Sequence, residues 1–107
     1  MGTASFSISE GNKSRGAGSP TMLSTRYVNG GAFTTSTSAA TLQDSGASNV
    51  TLAAGQVIQI HADEAMRVQF GGVAVTASTG HYIPGGLQRE FECDGGDAGT
   101  VSIIDVA

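Results

Sequence analysis

The stretch VQFGGVAVTASTGHYI, from Val68 to Ile83, alternates apolar with polar residues and is interrupted by glycines. A period of two residues places alternate side chains on opposite faces of a β-strand, and Gly-rich joints supply the turns between strands. The same pattern extends outward from this stretch over residues 50 to 106. It predicts a small antiparallel β domain with one buried face, which is the pattern of a structural or binding protein.

The composition predicts a single domain with a thin core. A chain of 107 residues hides only about 60 to 70% of the surface that its unfolded form exposes. The chain has no Trp and few large aromatic residues, so hydrophobic anchors are scarce. Gly, Ser, Thr and Ala are abundant and only 13% of residues are charged, a combination that suits packing against neighbouring chains.

Strand candidates recur about every ten residues, which predicts an all-β fold, a small antiparallel β-sandwich or jelly-roll-like barrel. The only helix candidate is one turn at 63–66. A turn is expected at the sequence NGG, residues 29–31, and further turns at 53–55, 63–64, 71–72, 78–80, 84–86 and 94–99. The predicted strands are 21–28, 40–44, 49–52, 56–62, 66–70, 73–77, 81–83, 87–93 and 100–106.

The alternation also predicts which side chains form the core. Val57, Ile58 and Ile60 break the strict alternation, so either a bulge or a strand covered on both faces is expected there, and the second would indicate a subunit interface. Phe70 and Phe91 are expected to be buried on facing strands. The other predicted core residues are Val50, Leu52, Val68, Val73, Val75, Tyr82, Leu87, Val101 and either Ile103 or Ile104.

Residues 1–20 predict an extended N-terminal arm that precedes a β-sandwich domain at 21–107. The segment GNKSRGAGSP has the composition of a flexible linker, and Phe6 to Ser9 is expected to form a strand only by adding to the sheet edge of a partner. Residues 1–30 carry three basic residues against one acid, a net charge of +2, whereas residues 31–107 carry two against eight, a net charge of −6. The basic density is far below that of nucleic-acid binders, so an acidic protein surface is the expected partner of the arm.

Targeting and redox signals are sparse. Cys93 is the single cysteine, so the fold has no internal disulfide framework. No apolar stretch approaches the roughly 20 residues needed to cross a bilayer, and the N-terminus lacks the apolar core of a signal peptide. We therefore expect synthesis in a cytoplasm and no membrane partner.

Two groups of residues could in principle bind a metal ion. His61, Asp63, Glu64 and His81 offer nitrogen and carboxylate ligands, but their spacing matches no established metal motif. The loop DGGDAG at 94–99 provides two aspartates, fewer oxygen ligands than a calcium loop uses, so a plain turn is expected.

The remaining candidates for chemistry are equally weak. Cys93 lies beside acids that disfavour its thiolate, and no GxSxG elbow is present. Glu90 and Glu92 lie two residues apart on one strand face, which is unlike a glycosidase pair. No Gly-rich segment opens a helix that carries a lysine, as a phosphate site would need. We predict no catalytic, cofactor-binding or metal-ligating residue, no cofactor and no enzymatic activity.

The C-terminal half nevertheless resembles a family. The succession RVQFGG, AVTASTGHYIPGG, REFE and TVSIIDV, over about residues 50 to 106, resembles small auxiliary proteins of tailed-phage virions. The plan of a loose arm before an acidic body rich in Gly, Thr and Ala is similar to head-decoration or cement proteins. The resemblance implies a non-enzymatic virion component, often trimeric, that binds the major capsid protein or other virion proteins through its arm.

Three functions remain open at this point. The first is a protein that decorates or cements a phage capsid. The second is a neck, tail or head-fibre component of the virion. The third is a carbohydrate-binding or receptor-binding β module, against which the absence of Trp and the scarcity of aromatic platforms for sugars count.

Overall fold

The computed structural model describes residues 2–11 and 23–106, and within these ranges the chain forms ten strands and one short 3-10 helix. None of the helical structure in this part of the chain is long and apolar enough to span a membrane. The strands are β1 (Thr3–Gly11), β2 (Leu23–Thr34), β3 (Ala40–Thr41), β4 (Thr51–Leu52), β5 (Gln56–Ala62), β6 (Met66–Gln69), β7 (His81–Ile83), β8 (Leu87–Glu92), β9 (Gly99–Thr100) and β10 (Ser102–Asp105), and the helix is Gly95–Asp97.

The strands form two four-stranded antiparallel sheets and a two-stranded ribbon within the described residues. Sheet A has the order β2-β1-β5-β8, sheet B has the order β3-β10-β6-β7, and β4 pairs with β9. The predicted all-β class is confirmed, and the two sheets pack as a sandwich around one core.

The core contains the inward side chains of both sheets. On β1, Ala4, Phe6 and Ile8 are buried while Ser5 between them is exposed, which is the alternation that a half-covered strand requires. The buried cluster consists of Ala4, Phe6, Ile8, Leu42, Val50, Leu52, Ile58, Ile60, Ala62, Met66, Val68, Ile83, Cys93, Val101 and Ile103.

The prediction that residues 1–20 form a separate arm is wrong for 3–11. Strand β1 pairs with β2 on one side and with β5 on the other, and Ile8 lies opposite both Asn29 and Ile58. The strand does add to a sheet, but the sheet belongs to the same chain and not to a partner. Residues 12–22, which include the rest of the predicted arm and the start of the predicted strand 21–28, lie outside the described residues.

The predicted turn at 29–31 is also wrong, because β2 continues through it to Thr34. The backbone at Gly30 and Gly31 does not adopt the positive φ that a glycine turn uses. Instead the missing side chain matters: a Cβ at Gly30 would lie 2.8 Å from the carbonyl oxygen of Phe6 and 2.9 Å from the Tyr27 hydroxyl oxygen. These glycines permit close packing within an extended strand.

Two further predictions of local structure fail. Residues 73–77 do not form a strand, because the amide of Val75 donates to the Ser102 side-chain oxygen at 3.1 Å and not to a neighbouring strand. The helical turn predicted at 63–66 is a bend followed directly by β6. By contrast, β5 and β7 have the predicted bounds.

The core prediction is correct in the middle of the sheets and wrong at their margins. Val57 and Ile58 are both fully buried within the one chain, so the burial of these two side chains requires no second subunit. Val73, Tyr82 and Leu87 are 55%, 44% and 53% exposed. Val73 lies in the loop after β6, and Leu87 lies on the edge strand β8. Tyr82 points to the outer face of sheet B, where the Arg67 guanidinium lies 5.3 Å from the centre of its ring.

Candidate functional site

Three aromatic rings meet beside the edge strand β8 and form the most distinctive side-chain cluster in the described chain. Phe70 follows β6, His81 begins β7 and Phe91 lies on β8. The centroids of Phe70 and Phe91 are 5.0 Å apart, those of His81 and Phe91 are 5.1 Å apart, and those of Phe70 and His81 are 5.8 Å apart. All three ring pairs are tilted, in the range that favours aromatic contacts.

The loop between β6 and β7 brings His81 to this cluster. Gly71 and Gly72, with φ of 78° and 77°, turn the chain immediately after Phe70. Gly80, with φ of 92°, returns it so that His81 pairs with Val68. A Cβ at Gly80 would lie 2.8 Å from the Val68 carbonyl oxygen, so only glycine fits this return.

A pocket of about 310 Å³ opens next to the cluster. Buried Leu52 and Cys93 line it together with the aromatic rings and parts of Glu90 and Glu92. Phe70 and Phe91 are only partly buried and His81 is exposed, so the rings remain accessible from solvent. A pocket with aromatic and aliphatic walls can accept a flat apolar group or one face of a sugar ring.

The outer face of sheet A is a second candidate surface, and it is polar, with serines on β1 and longer side chains such as Gln59 and Glu90 on β5 and β8. The Ser7 hydroxyl donates to the Gln59 side-chain oxygen at 3.4 Å, and the Gln59 amide donates to the Glu90 carboxylate at 2.7 Å. This row crosses β1, β5 and β8. A shallow hollow of about 250 Å³ beside it is lined by Ser5, Phe6, Ser7, Gly31, Gln59, His61 and Gln88.

The loop after β3 contains Asp44, an acid whose pKa is lowered. The backbone amide of Ser48 is the main cause: it donates to the Asp44 carboxylate at 3.1 Å and holds the pKa of Asp44 below its usual value. The Asn29 side-chain amide at 3.2 Å and the Gly46 backbone amide at 2.9 Å lower this pKa further. Because Asn29 lies on β2, these bonds attach the loop to sheet A.

The predicted metal candidates are not brought together. His61 lies on the outer face of β5 opposite Gln88, whereas His81 belongs to sheet B and to the aromatic cluster. The Asp63 carboxylate accepts a hydrogen bond from the Thr3 backbone amide at 2.7 Å. Over residues 2–11 and 23–106, no group of three or more metal-ligating side chains is formed.

The other predicted candidates have structural positions. Asp94 caps the 3-10 helix by accepting a hydrogen bond from the Gly96 amide at 2.9 Å, so the predicted turn at 94–99 contains one short helical turn, Gly95–Asp97. The Cys93 thiol is buried and donates to the Asp94 carbonyl oxygen at 3.1 Å. Glu90 and Glu92 lie opposite Gln59 and Val57, on the same face of sheet A.

Sequence reasoning found part of the aromatic cluster. The prediction that Phe70 and Phe91 are buried on facing strands is wrong in its burial, because both rings are only partly buried and Phe70 lies just after β6. The two rings do contact each other. The place of His81 beside them was missed. The available signal was the hairpin itself, since an antiparallel turn over residues 70–80 brings residue 81 back beside the end of β6.

Comparisons with known proteins provide no relative. No protein-family model matches the chain, and no curated protein or solved structure matches it.

Proposed function

We propose that this protein is a non-enzymatic structural component of a phage virion, which decorates or cements the capsid by packing against other virion proteins. The observation that supports this proposal best is the outer face of sheet A. Its exposed positions include Ser5, Ala32 and Gln88, and its central row is Ser7, Gln59 and Glu90. The small side chains of Ser5, Ser7 and Ala32 let another protein approach this part of the face closely.

The sequence resemblance to virion auxiliary proteins supports the same function. The attaching part differs from the one that the sequence predicted, because β1 is an internal strand of sheet A and not an arm. The contact surface is therefore the sheet face that β1, β5 and β8 present outward. An acidic body with a net charge of −6 over residues 31–107 favours a partner surface that carries basic residues.

The test is the number of copies in virions purified from the phage that encodes this chain, measured by quantitative mass spectrometry. Hundreds of copies per particle support decoration, about a dozen support a neck or tail position, and no copies overturn the virion proposal. Ser5→Glu, in the middle of the outer face, should reduce the copy number. Ser78→Glu, in an exposed loop elsewhere, is the matched control and should leave the copy number unchanged.

A carbohydrate-binding module is the second candidate, and the aromatic cluster favours it. Sugars stack on accessible aromatic rings, and Phe70, His81 and Phe91 lie together beside a pocket. A glycan array with the full chain tests this candidate. Specific binding that His81→Ala abolishes and that Tyr82→Ala retains would support it over the structural role, and an array without specific binding would remove it.

A further inference from the structure

Strand β2 is a long edge of sheet A whose outer side carries no strand within the described residues. It pairs with β1 and stands at the end of the order β2-β1-β5-β8. The Thr35 amide donates to the Gly2 carbonyl oxygen at 2.8 Å, so odd-numbered residues of this stretch direct their main-chain groups toward β1. By alternation, the main-chain groups of Ala32 and Thr34 point away from the sheet and are free to pair with another strand.

The opposite edge of sheet A is protected by charge, and β2 is not. Strand β8 carries Arg89, Glu90 and Glu92, and charged residues on an edge strand discourage pairing with another chain. From Tyr27 to Thr34, β2 carries no charge at all. The edges of sheet B are the short strands β3 and β7, with two and three residues, so they offer little to pair with.

Two exposed apolar side chains along this edge would also be stabilised if a partner strand buried them. Tyr27 and Val28 are 66% and 45% exposed, and they begin the uncharged segment that ends at Thr34. Ala32 is small and exposed, whereas Gly30 is buried and its outward amide donates to the Asn29 side-chain oxygen at 2.8 Å. The open part of the edge is therefore at Ala32 and Thr34. An uncharged edge does not repel its own copy, whereas the acidic remainder of the body does.

We propose that β2 is a self-association edge, at which a second copy of this chain pairs its own β2 in antiparallel orientation. The contact is isologous: the free main-chain groups of Ala32 in each copy meet those of Thr34 in the other across a two-fold axis, and the two sheets A become one continuous eight-stranded sheet. An isologous contact closes at two copies, so this edge produces a dimer and not the trimer that the family resemblance implies. It does not depend on the virion proposal.

The test is sedimentation velocity of the full chain over about 1 to 200 µM, where an edge contact of this size is expected to associate. Wild type should shift from monomer to dimer. Ala32→Pro removes an outward-facing amide without removing a hydrogen bond to β1, and it should remain monomeric. Ala32→Lys places two like charges across the two-fold axis and should weaken dimerisation at least about tenfold.

The matched control is Gln88→Lys, an exposed position on the same face at the opposite edge of sheet A, and it should dimerise as wild type does. Circular dichroism establishes that each variant is folded. If Ala32→Pro fails to fold, Ala32→Lys decides the question. A wild-type chain that stays monomeric throughout, forms a trimer, or dimerises equally well with lysine at position 32 overturns the proposal.

Discussion

The carboxylate of Asp105 accepts a hydrogen bond from the hydroxyl of Thr35 inside the protein, across 70 positions of sequence. Both side chains are buried, and the same carboxylate accepts the backbone amide of Gly2 at 3.1 Å. The Asp105 amide in turn donates to the Ser36 carbonyl oxygen at 2.8 Å. One acid on β10 thus connects the segment after β2 with the residue before β1.

Replacing Asp105 with alanine should reduce the free energy of unfolding by about 1 to 3 kcal/mol, because the Thr35 hydroxyl and the Gly2 amide would be buried without an acceptor. Asp105→Asn should lose less, since its amide oxygen can still accept one of these bonds. Urea unfolding measures the difference. Asp63→Ala removes an exposed carboxylate that also accepts a backbone amide, and it should cost less. Equal losses in the two alanine variants would contradict this account.

Ile8→Ala should cost about 2 to 5 kcal/mol, because Ile8 is fully enclosed between the sheets and the substitution leaves a cavity. Ser5→Ala, on the exposed face of the same strand, should change stability by less than about 0.5 kcal/mol. Thermal unfolding of both variants measures this contrast. An Ile8→Ala variant as stable as wild type would instead support the prediction that residues 1–20 are an arm on which the stability of the domain does not depend.

The stability of the folded chain should fall in acid partly through Asp44. Its pKa in the folded protein lies below the ordinary value of 3.8, so its contribution is complete above that value and disappears as the pH falls through the folded pKa. The stability difference between wild type and Asp44→Asn should therefore be constant from about pH 7 to 5 and shrink below about pH 4. Asn29→Ala removes one donor and should show a smaller effect. A pH-independent difference would exclude this role.

Ala47→Gly should stabilise the protein by up to about 1 kcal/mol, because Ala47 has a φ of 61° and glycine adopts this left-handed conformation without a steric penalty. Ala54→Gly is the matched control: Ala54 is exposed in a turn without a positive φ, so glycine there only increases the entropy of the unfolded chain. Differential scanning calorimetry should show opposite shifts in Tm. Two shifts of the same sign would be inconsistent with strain at Ala47.

The sequence predicts the fold well where alternation and turn residues agree. Strand β5 is bounded by Gly55 and by the bend at Asp63, and β7 lies between Gly80 and Pro84, so both strands begin and end where predicted. The predictions fail where glycine has a different use. In β2 it admits close packing in extended backbone, which the pair Gly30 and Gly31 does not distinguish from a turn.

Long-range pairing explains the other failures. The composition around β1 is that of a linker, and only its pairing with β5, about fifty positions later, shows that Phe6 and Ile8 belong to the core. The aromatic cluster also depends on pairing, because His81 reaches Phe91 through the separate registers of β6 with β7 and β5 with β8. Local patterns do not encode such contacts.

The central position of β1 also determines the order of events during synthesis. Residues 3–11 are synthesised well before their partner β5, which begins at position 56, and the acid that accepts the Gly2 amide follows 103 positions after Gly2. At about 5 to 20 residues per second, Phe6 and Ile8 stay uncovered for several seconds. Chaperones therefore have a defined interval in which to bind this apolar segment, and a pause in translation before position 56 would prolong it.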